Sequence, residues 1–119
     1  MLGSPANADP VPAHDVVPEE LDIATGIAAI EERTSLTIRR PARTWAGLRS
    51  FSPDGELVIG WDARRPAFFW LAAQGGYGIQ SAAGAAQLAA ALWLGAPLPE
   101  ALQAQRVQVH ALEPARFVA

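Results

Sequence analysis

The chain has 119 residues and a net charge of −3; half of its residues are hydrophobic and 18% are charged. This composition predicts one domain or less with a packed core, and it argues against global disorder. All nine basic residues are arginine and form no basic stripe, which argues against nucleic acid as a partner, and the absence of cysteine excludes disulfides, thiol catalysis and cysteine-ligated zinc.

The first predicted element in chain order is a helix over residues 18–33. Three prolines within residues 1–17 forbid a helix there, although a short edge strand at residues 2–6 is compatible with them. Asp15 is placed near the N-cap of the helix, Pro18 suits its first turn, and apolar residues follow at helical spacing.

Three strands are predicted next, over residues 44–51, 57–61 and 68–73. The Pro-Asp-Gly sequence at residues 53–55 separates the first two as a turn, because proline presets φ and glycine accepts unusual φ values. The third run is apolar at every position, which predicts that both of its faces are buried.

A second long helix is predicted over residues 79–94, with Gly95 as its stop signal and Pro97 just beyond. A short helix is expected to begin near Pro99. The elements together predict a mixed α/β chain, with a few-stranded sheet and two main helices.

Two observations bear on location. No run of residues approaches the roughly 18 apolar residues of a membrane span, and residues 1–5 lack the basic and apolar regions of a signal peptide. A cytoplasmic protein without a membrane span is therefore expected.

The glycine-rich turn between the third strand and the second helix carries the strongest functional signal. A glycine turn that opens a helix lets backbone N–H groups approach a ligand closely, and the helix dipole favours negative charge there. Glycines alone are equally consistent with an ordinary structural turn. The buried strand before the turn favours a ligand site, which would comprise Gly75, Gly76, Tyr77, Gly78 and Ile79.

Arg49 is the second candidate, because its planar guanidinium can hold a carboxylate through two parallel hydrogen bonds. Its local sequence, on or beside an apolar strand, favours a solvated edge charge instead. His14 and His110 are too isolated to form a metal site, and no serine lies in a G-x-S-x-G sequence. No catalytic residue and no metal ligand is therefore assigned.

Four motifs in a fixed order carry a family resemblance. They are Arg43-Thr44-Trp45-Ala46-Gly47-Leu48-Arg49, then Pro53-Asp54-Gly55 with Val58-Ile59-Gly60, then Phe68-Phe69-Trp70-Leu71-Ala72, and finally Gly75-Gly76-Tyr77-Gly78-Ile79. Over nearly its whole length the chain resembles the C-terminal portion of FAD-dependent oxidoreductases of the D-amino-acid oxidase, glycine oxidase and sarcosine oxidase superfamily.

The resemblance implies FAD as cofactor, a small amine or amino acid as substrate, and hydride transfer from the substrate to flavin N5. Arg49 would bind the substrate carboxylate, and residues 75–79 would pack against the flavin ring. It further implies that residues 1–56 are a remnant of a substrate-binding domain and that residues 57–119 are the C-terminal part of an FAD-binding domain.

The sequence also departs from this family pattern. It contains no G-x-G-x-x-G fingerprint for the ADP half of FAD, which predicts a C-terminal piece that lacks the N-terminal Rossmann half, does not retain FAD alone and is inactive alone. Relatives commonly have proline in place of Ser50, and often histidine or asparagine in place of Tyr77, so the substrate stays undefined.

Two other readings remain open. In the first, the chain is an accessory subunit or a truncated, non-catalytic product that complements a separate N-terminal FAD-binding polypeptide. In the second, it is a small binding domain that uses the glycine turn for an unrelated anion. Apolar edges that meet a missing half would also predict a homodimer or aggregation.

Overall fold

Residues 10–118 are described by a computed structural model of the chain, which divides into two units, Met1–Leu48 and Arg49–Ala119. The described residues form three α-helices, one two-stranded sheet and two 3-10 turns. This confirms the predicted small mixed α/β class, as an α+β arrangement. The edge strand predicted at residues 2–6 lies outside the described residues.

The first unit contains helix α1, Glu20–Arg33, which begins two residues later than predicted. Its N-cap is Glu19, without a side-chain hydrogen bond, so the placement of Asp15 near the cap is wrong. An N-cap side chain must reach the amides of the first turn, and Asp15 precedes the helix by too many residues. After the helix, the backbone N–H of Ile38 donates to Glu31 Oε1 at 2.7 Å.

The predicted strand at residues 44–51 is absent from the described structure. A strand needs a neighbour that supplies a ladder of hydrogen bonds. Among the described residues, this segment makes a single backbone bond, in which Gly75 N–H donates to the Ser50 carbonyl at 3.1 Å. The apolar pattern alone does not make a strand, and no strand among residues 10–118 pairs with this segment.

The sheet is an antiparallel pair of β1, Val58–Trp61, and β2, Phe69–Ala72, which confirms two of the three predicted strands. Ile59 lies opposite Leu71 in the register. The connecting loop is held by the Asp62 carboxylate, which accepts from the Arg64 and Arg65 amides at 2.8 Å and from Trp70 Nε1 at 2.9 Å. These bonds lower the pKa of Asp62, the Trp70 bond most of all.

The core lies between β1 and helix α2, Gly78–Leu94. Ile59 and Leu88 are its most buried side chains. The other buried members of this cluster are Leu57, Ala85 and Leu102. Helix α2 stops at Gly95, whose φ of 62° confirms the predicted glycine stop, and helix α3, Glu100–Ala104, confirms the predicted short helix and delivers Leu102 to the core. No helix among residues 10–118 combines the length and apolarity of a membrane span.

The C-terminal segment runs along the other edge of β1 through two 3-10 turns, Val109–Ala111 and Pro114–Phe117. Ile59 N–H donates to the Leu112 carbonyl at 2.8 Å. At Gly60, which has a φ of 144°, a Cβ atom would lie 3.2 Å from Pro114 Cδ. Glycine is required here because the backbone conformation and the close approach both exclude a side chain.

Strand β2 is not buried on both faces, so that prediction is wrong. Leu71 is 53% exposed and Trp70 is 37% exposed. Apolar composition shows that a strand can be buried, but burial also needs a layer over each face of the sheet, and among the described residues none covers Leu71 or Trp70 fully. Trp61, Phe69 and Trp93 stack together with centroids 5.0–5.3 Å apart, yet both tryptophans stay partly exposed.

An ion pair ties the C-terminal segment to the turn before β1. Arg116 Nε donates to Asp54 Oδ2 at 2.7 Å, and Arg116 Nη2 donates to Oδ1 at 3.1 Å. The hydrogen bond with Arg116 holds the pKa of Asp54 far below its ordinary value of 3.8. The turn itself is the one predicted at residues 53–55, closed by a bond from Gly55 N–H to the Ser52 carbonyl at 3.0 Å.

The lowered pKa of Asp54 predicts a pH-dependent stability. Because the folded state favours the carboxylate, its contribution is complete above the unfolded pKa and is lost as the pH falls below 3.8 towards the folded value. We expect Asp54→Asn to lower Tm at neutral pH and to make Tm depend less on pH on the acid side. Circular dichroism melts across this range measure it, and parallel curves for the two proteins would contradict the prediction.

Candidate functional site

The glycine turn lies between the end of β2 and the start of α2, as predicted, and Gly75 adopts a φ of 53°. A Cβ atom at Gly75 would lie 3.0 Å from Phe51 Cε1. Its N–H donates to the Ser50 carbonyl at 3.1 Å. The turn is therefore folded against the residues that follow Arg49, a contact between two distant parts of the sequence.

Arg49 lies directly beside this turn. A Cβ atom at Gly76 would lie 3.2 Å from Arg49 Nη1 and 3.8 Å from Arg49 Cζ. The guanidinium thus occupies space that a side chain at residue 76 would fill. The structure brings together the two candidates that sequence reasoning treated separately, and Arg49 is exposed there, with no carboxylate partner among residues 10–118.

The start of α2 offers unused hydrogen-bond donors. Its N-cap is Tyr77, no side chain caps the helix, and its first turn has no acidic residue. Among the described residues, the Tyr77 amide donates to the Gln74 carbonyl at 3.4 Å, and the next amide with a backbone acceptor is Ser81, which donates to the Tyr77 carbonyl at 2.9 Å. The amides of Gly78, Ile79 and Gln80 remain available, as is usual at an uncapped helix start, and the dipole makes this end partly positive.

The guanidinium of Arg49 and the start of α2 face one open cleft of about 440 Å³. The lining consists of Arg49 and residues 75–80. Ile79 is 98% exposed at this place, so an apolar side chain stands beside the free amides. A flat, electron-rich ring with apolar faces and negatively charged edges matches this combination, whereas a small hydrated anion would gain nothing from Ile79.

Tyr77 links the turn to the rest of the unit. Its hydroxyl donates to the Gly55 carbonyl, and its ring edge lies 3.3 Å from the position of a Cβ atom at Gly75. Sequence reasoning missed the roles of Phe51, Ser50 and Gly55 in this site. The proximity of Phe51 and Ser50 to Arg49 in sequence was the only signal that pointed to them.

The remaining candidates do not join this site. Among the described residues, no group of histidine, aspartate and glutamate side chains is arranged to hold a metal. His14 Nδ1 lies 2.8 Å from the Pro12 carbonyl, within its own loop. Asp54, in the predicted turn at residues 53–55, is the partner of Arg116.

Comparison with known families decides the broad identity. Residues 2–92 match the family described as FAD dependent oxidoreductase, which covers about three quarters of the chain. The chain belongs to this family of FAD-dependent oxidoreductases. FAD is accordingly its cofactor.

The cleft of this FAD-dependent oxidoreductase fits part of such a cofactor. Gly76 leaves room for the Arg49 guanidinium beside the turn, the amides of residues 78–80 can donate, and Ile79 offers an apolar contact. An isoalloxazine ring needs these properties: close approach to its edge, donors for its carbonyl and nitrogen atoms, and an apolar surface for its face.

The backbone at Gly75 yields a stability prediction. We expect Gly75→Ala to lower the free energy of unfolding by about 1–2 kcal/mol from the left-handed backbone alone, with more from the contact at Phe51. Urea titration measures it. Gly95→Ala is the matched control, because Gly95 has a similar φ of 62° and nothing within 4 Å of its Cβ position. Equal losses in the two variants would show that Phe51 does not restrict residue 75.

Proposed function

We propose that this chain forms the substrate-carboxylate and flavin-facing part of an FAD-dependent oxidoreductase that oxidises a small amine or amino acid. It would correspond to the C-terminal portion of an enzyme of the D-amino-acid oxidase, glycine oxidase and sarcosine oxidase superfamily. The observation that supports this best is the position of the Arg49 guanidinium, beside Gly76 and the free amides of α2.

Arg49 has the role of binding the substrate carboxylate. The guanidinium presents two parallel N–H donors that match the two oxygens of a carboxylate. Gripping one end of a small amino acid in this way fixes the orientation of the C–H bond next to its amine. Binding in this orientation lowers the entropy cost of reaching the reactive geometry in the chemical step.

The glycine turn and the start of α2 have the role of holding the ring. Amides of residues 78–80 donate to its polar edge, and the positive end of the helix favours negative charge there. Ile79 covers part of an apolar face. When bound, FAD supplies a hydride acceptor, and the substrate leaves as an imine that water hydrolyses.

The ADP half of FAD is assigned to residues outside this sequence, because the 119 residues contain no G-x-G-x-x-G. In this proposal, residues 1–56 belong with the substrate-binding domain and residues 57–119 with the FAD-binding domain. The boundary lies just before β1, the strand against which α2 packs.

The experiment is a titration followed by a turnover assay. FAD is added to the ¹⁵N-labelled chain, and shifts confined to the amides of residues 75–80 are expected. Small amines and amino acids are then screened without oxygen for loss of the flavin absorbance, with the ADP-binding polypeptide supplied where one is encoded beside it. Arg64→Ala is a charge-matched control, since Arg64 lies in the β1–β2 loop.

Shifts spread over the surface, or absent from the cleft, would contradict the proposed ring site. Reduction of FAD by none of the screened amines and amino acids would contradict the substrate class. Each arm therefore tests a different part of the proposal.

A second candidate is an accessory chain that complements a separate FAD-binding polypeptide without taking part in the chemistry. The exposed aromatic face formed by Trp61 and Trp93, together with Leu94, favours it, because such a surface is costly to leave in water. Full activity of the complex after Arg49→Ala would favour this candidate over the first.

A further inference from the structure

A chain of side-chain contacts connects the C-terminal segment to the glycine turn. Its first member is Arg116, whose side chain is only 14% exposed. Its guanidinium donates to both oxygens of Asp54 and to the carbonyls of Leu57 and Glu113, each of these two at 3.0 Å. A guanidinium with this many acceptors is fixed in position, because losing its place would leave several bonds unmade.

Asp54 extends this set of hydrogen bonds into its own turn. Its Oδ1 accepts from the Glu56 amide at 3.1 Å and from the Ser52 hydroxyl at 2.8 Å. Gly55, inside this turn, has a φ of 79°, so its carbonyl direction is set by a conformation that few other residues adopt.

Tyr77 is the receiving end of the chain of contacts. Its hydroxyl donates to the Gly55 carbonyl, and its own carbonyl accepts from both the amide and the hydroxyl of Ser81 at 2.9 Å. Tyr77 precedes the first residue of α2. A shift of Tyr77 therefore changes the direction in which the amides of residues 78–80 point.

We propose that Arg116, Asp54 and Tyr77 are positioning residues for the ligand cleft, which act on the bound group only through the start of α2. This inference rests on the proposed function for its purpose. The physical coupling that it describes exists in the chain without any ligand. The ion pair between Arg116 and Asp54 would thus help to fix the direction of the amides at the start of α2.

Amide hydrogen exchange in the free chain tests the coupling. The probe is the Ser81 amide, which is bonded to the Tyr77 carbonyl, and the reference is the Leu88 amide in the core of the same helix. We expect Tyr77→Phe, which removes only the hydroxyl, to speed exchange at Ser81 about fivefold, the equivalent of one ordinary hydrogen bond. Exchange at Leu88 should rise less than exchange at Ser81.

Asp54→Asn tests whether the coupling extends to the ion pair. We expect it to speed Ser81 exchange at least twofold more than Leu88 exchange, an estimate set by the range for one bond. Asp62→Asn is the matched control, because Asp62 organises a comparable loop through backbone amides but has no contact with Tyr77. Ser81 exchange should be unaffected by it.

Unchanged Ser81 exchange in Tyr77→Phe would overturn the proposal, and so would equal acceleration of Ser81 and Leu88, which would indicate general destabilisation. If Asp54→Asn proves too unstable, Arg116→Lys takes its place, since it keeps the charge and loses the paired donors. A flavin titration of Tyr77→Phe adds a second readout, with an expected rise in Kd of about fivefold. If FAD does not shift the amide signals of the wild-type chain, the proposed function is contradicted, but the exchange result still stands.

Discussion

Arg49→Ala is expected to lower kcat/KM for amine substrates that carry a carboxylate by about 30- to 1000-fold, which is about 2–4 kcal/mol of lost binding. The reason is that a guanidinium bound to a substrate carboxylate beside a flavin makes two charge-assisted hydrogen bonds away from bulk water. Amines of the same size without a carboxylate should lose little. Steady-state kinetics on such a matched pair of substrates, with the chain reconstituted with FAD and the ADP-binding polypeptide, measure the difference.

Two variants sharpen this prediction. Arg49→Lys keeps the charge but not the parallel donors, so it should recover only part of the loss. Arg64→Ala removes an exposed arginine of the same unit and should leave both substrates unaffected. An equal loss on the two substrates in Arg49→Ala would place Arg49 outside the carboxylate site and indicate a structural role at Gly76.

Leu88→Ala is expected to lower the free energy of unfolding by about 2–5 kcal/mol, because it removes buried methyl groups and leaves a cavity. Leu88 is only 2% exposed and packs in the cluster that joins α2 to β1. A small domain has little stability in reserve, so this variant should be partly unfolded at room temperature. Urea titration followed by circular dichroism measures the change.

Leu94→Ala is the matched control for Leu88→Ala. It is the same substitution in the same helix, but Leu94 is 75% exposed. Its cost should stay within about 0.5 kcal/mol, as for most surface changes. Similar losses in the two variants would mean that the helix packs on the sheet through a different face from the one described.

The elements with local signals were predictable from sequence. Helix α2 follows from its apolar pattern and ends where glycine and proline require, and the turn at residues 53–55 follows from its residue types. Strand β1 was marked by its β-branched residues and the turn before it. In each case the signal and the structure involve neighbouring residues, so no knowledge of distant contacts was needed.

The failures depend on contacts that a local pattern does not contain. In the part of the chain that the structure describes, residues 44–51 have a strand-like pattern but no strand to pair with, and one face of the apolar β2 stays largely uncovered. The placement of Arg49 beside Gly76 is also non-local. The sequence identified both residues as candidates, but it gave no sign that Phe51 and Tyr77 would flank the turn between them.

The bond from Ile59 to Leu112 limits how copies of this unit can associate through their backbones. Because the C-terminal segment occupies that side of β1, among the described residues only the outer side of β2 has unpaired strand groups. A molecule with one such side can join a single neighbour, and the pair then presents no further strand for a third. Strand-mediated growth should therefore terminate at two chains and not continue into fibres.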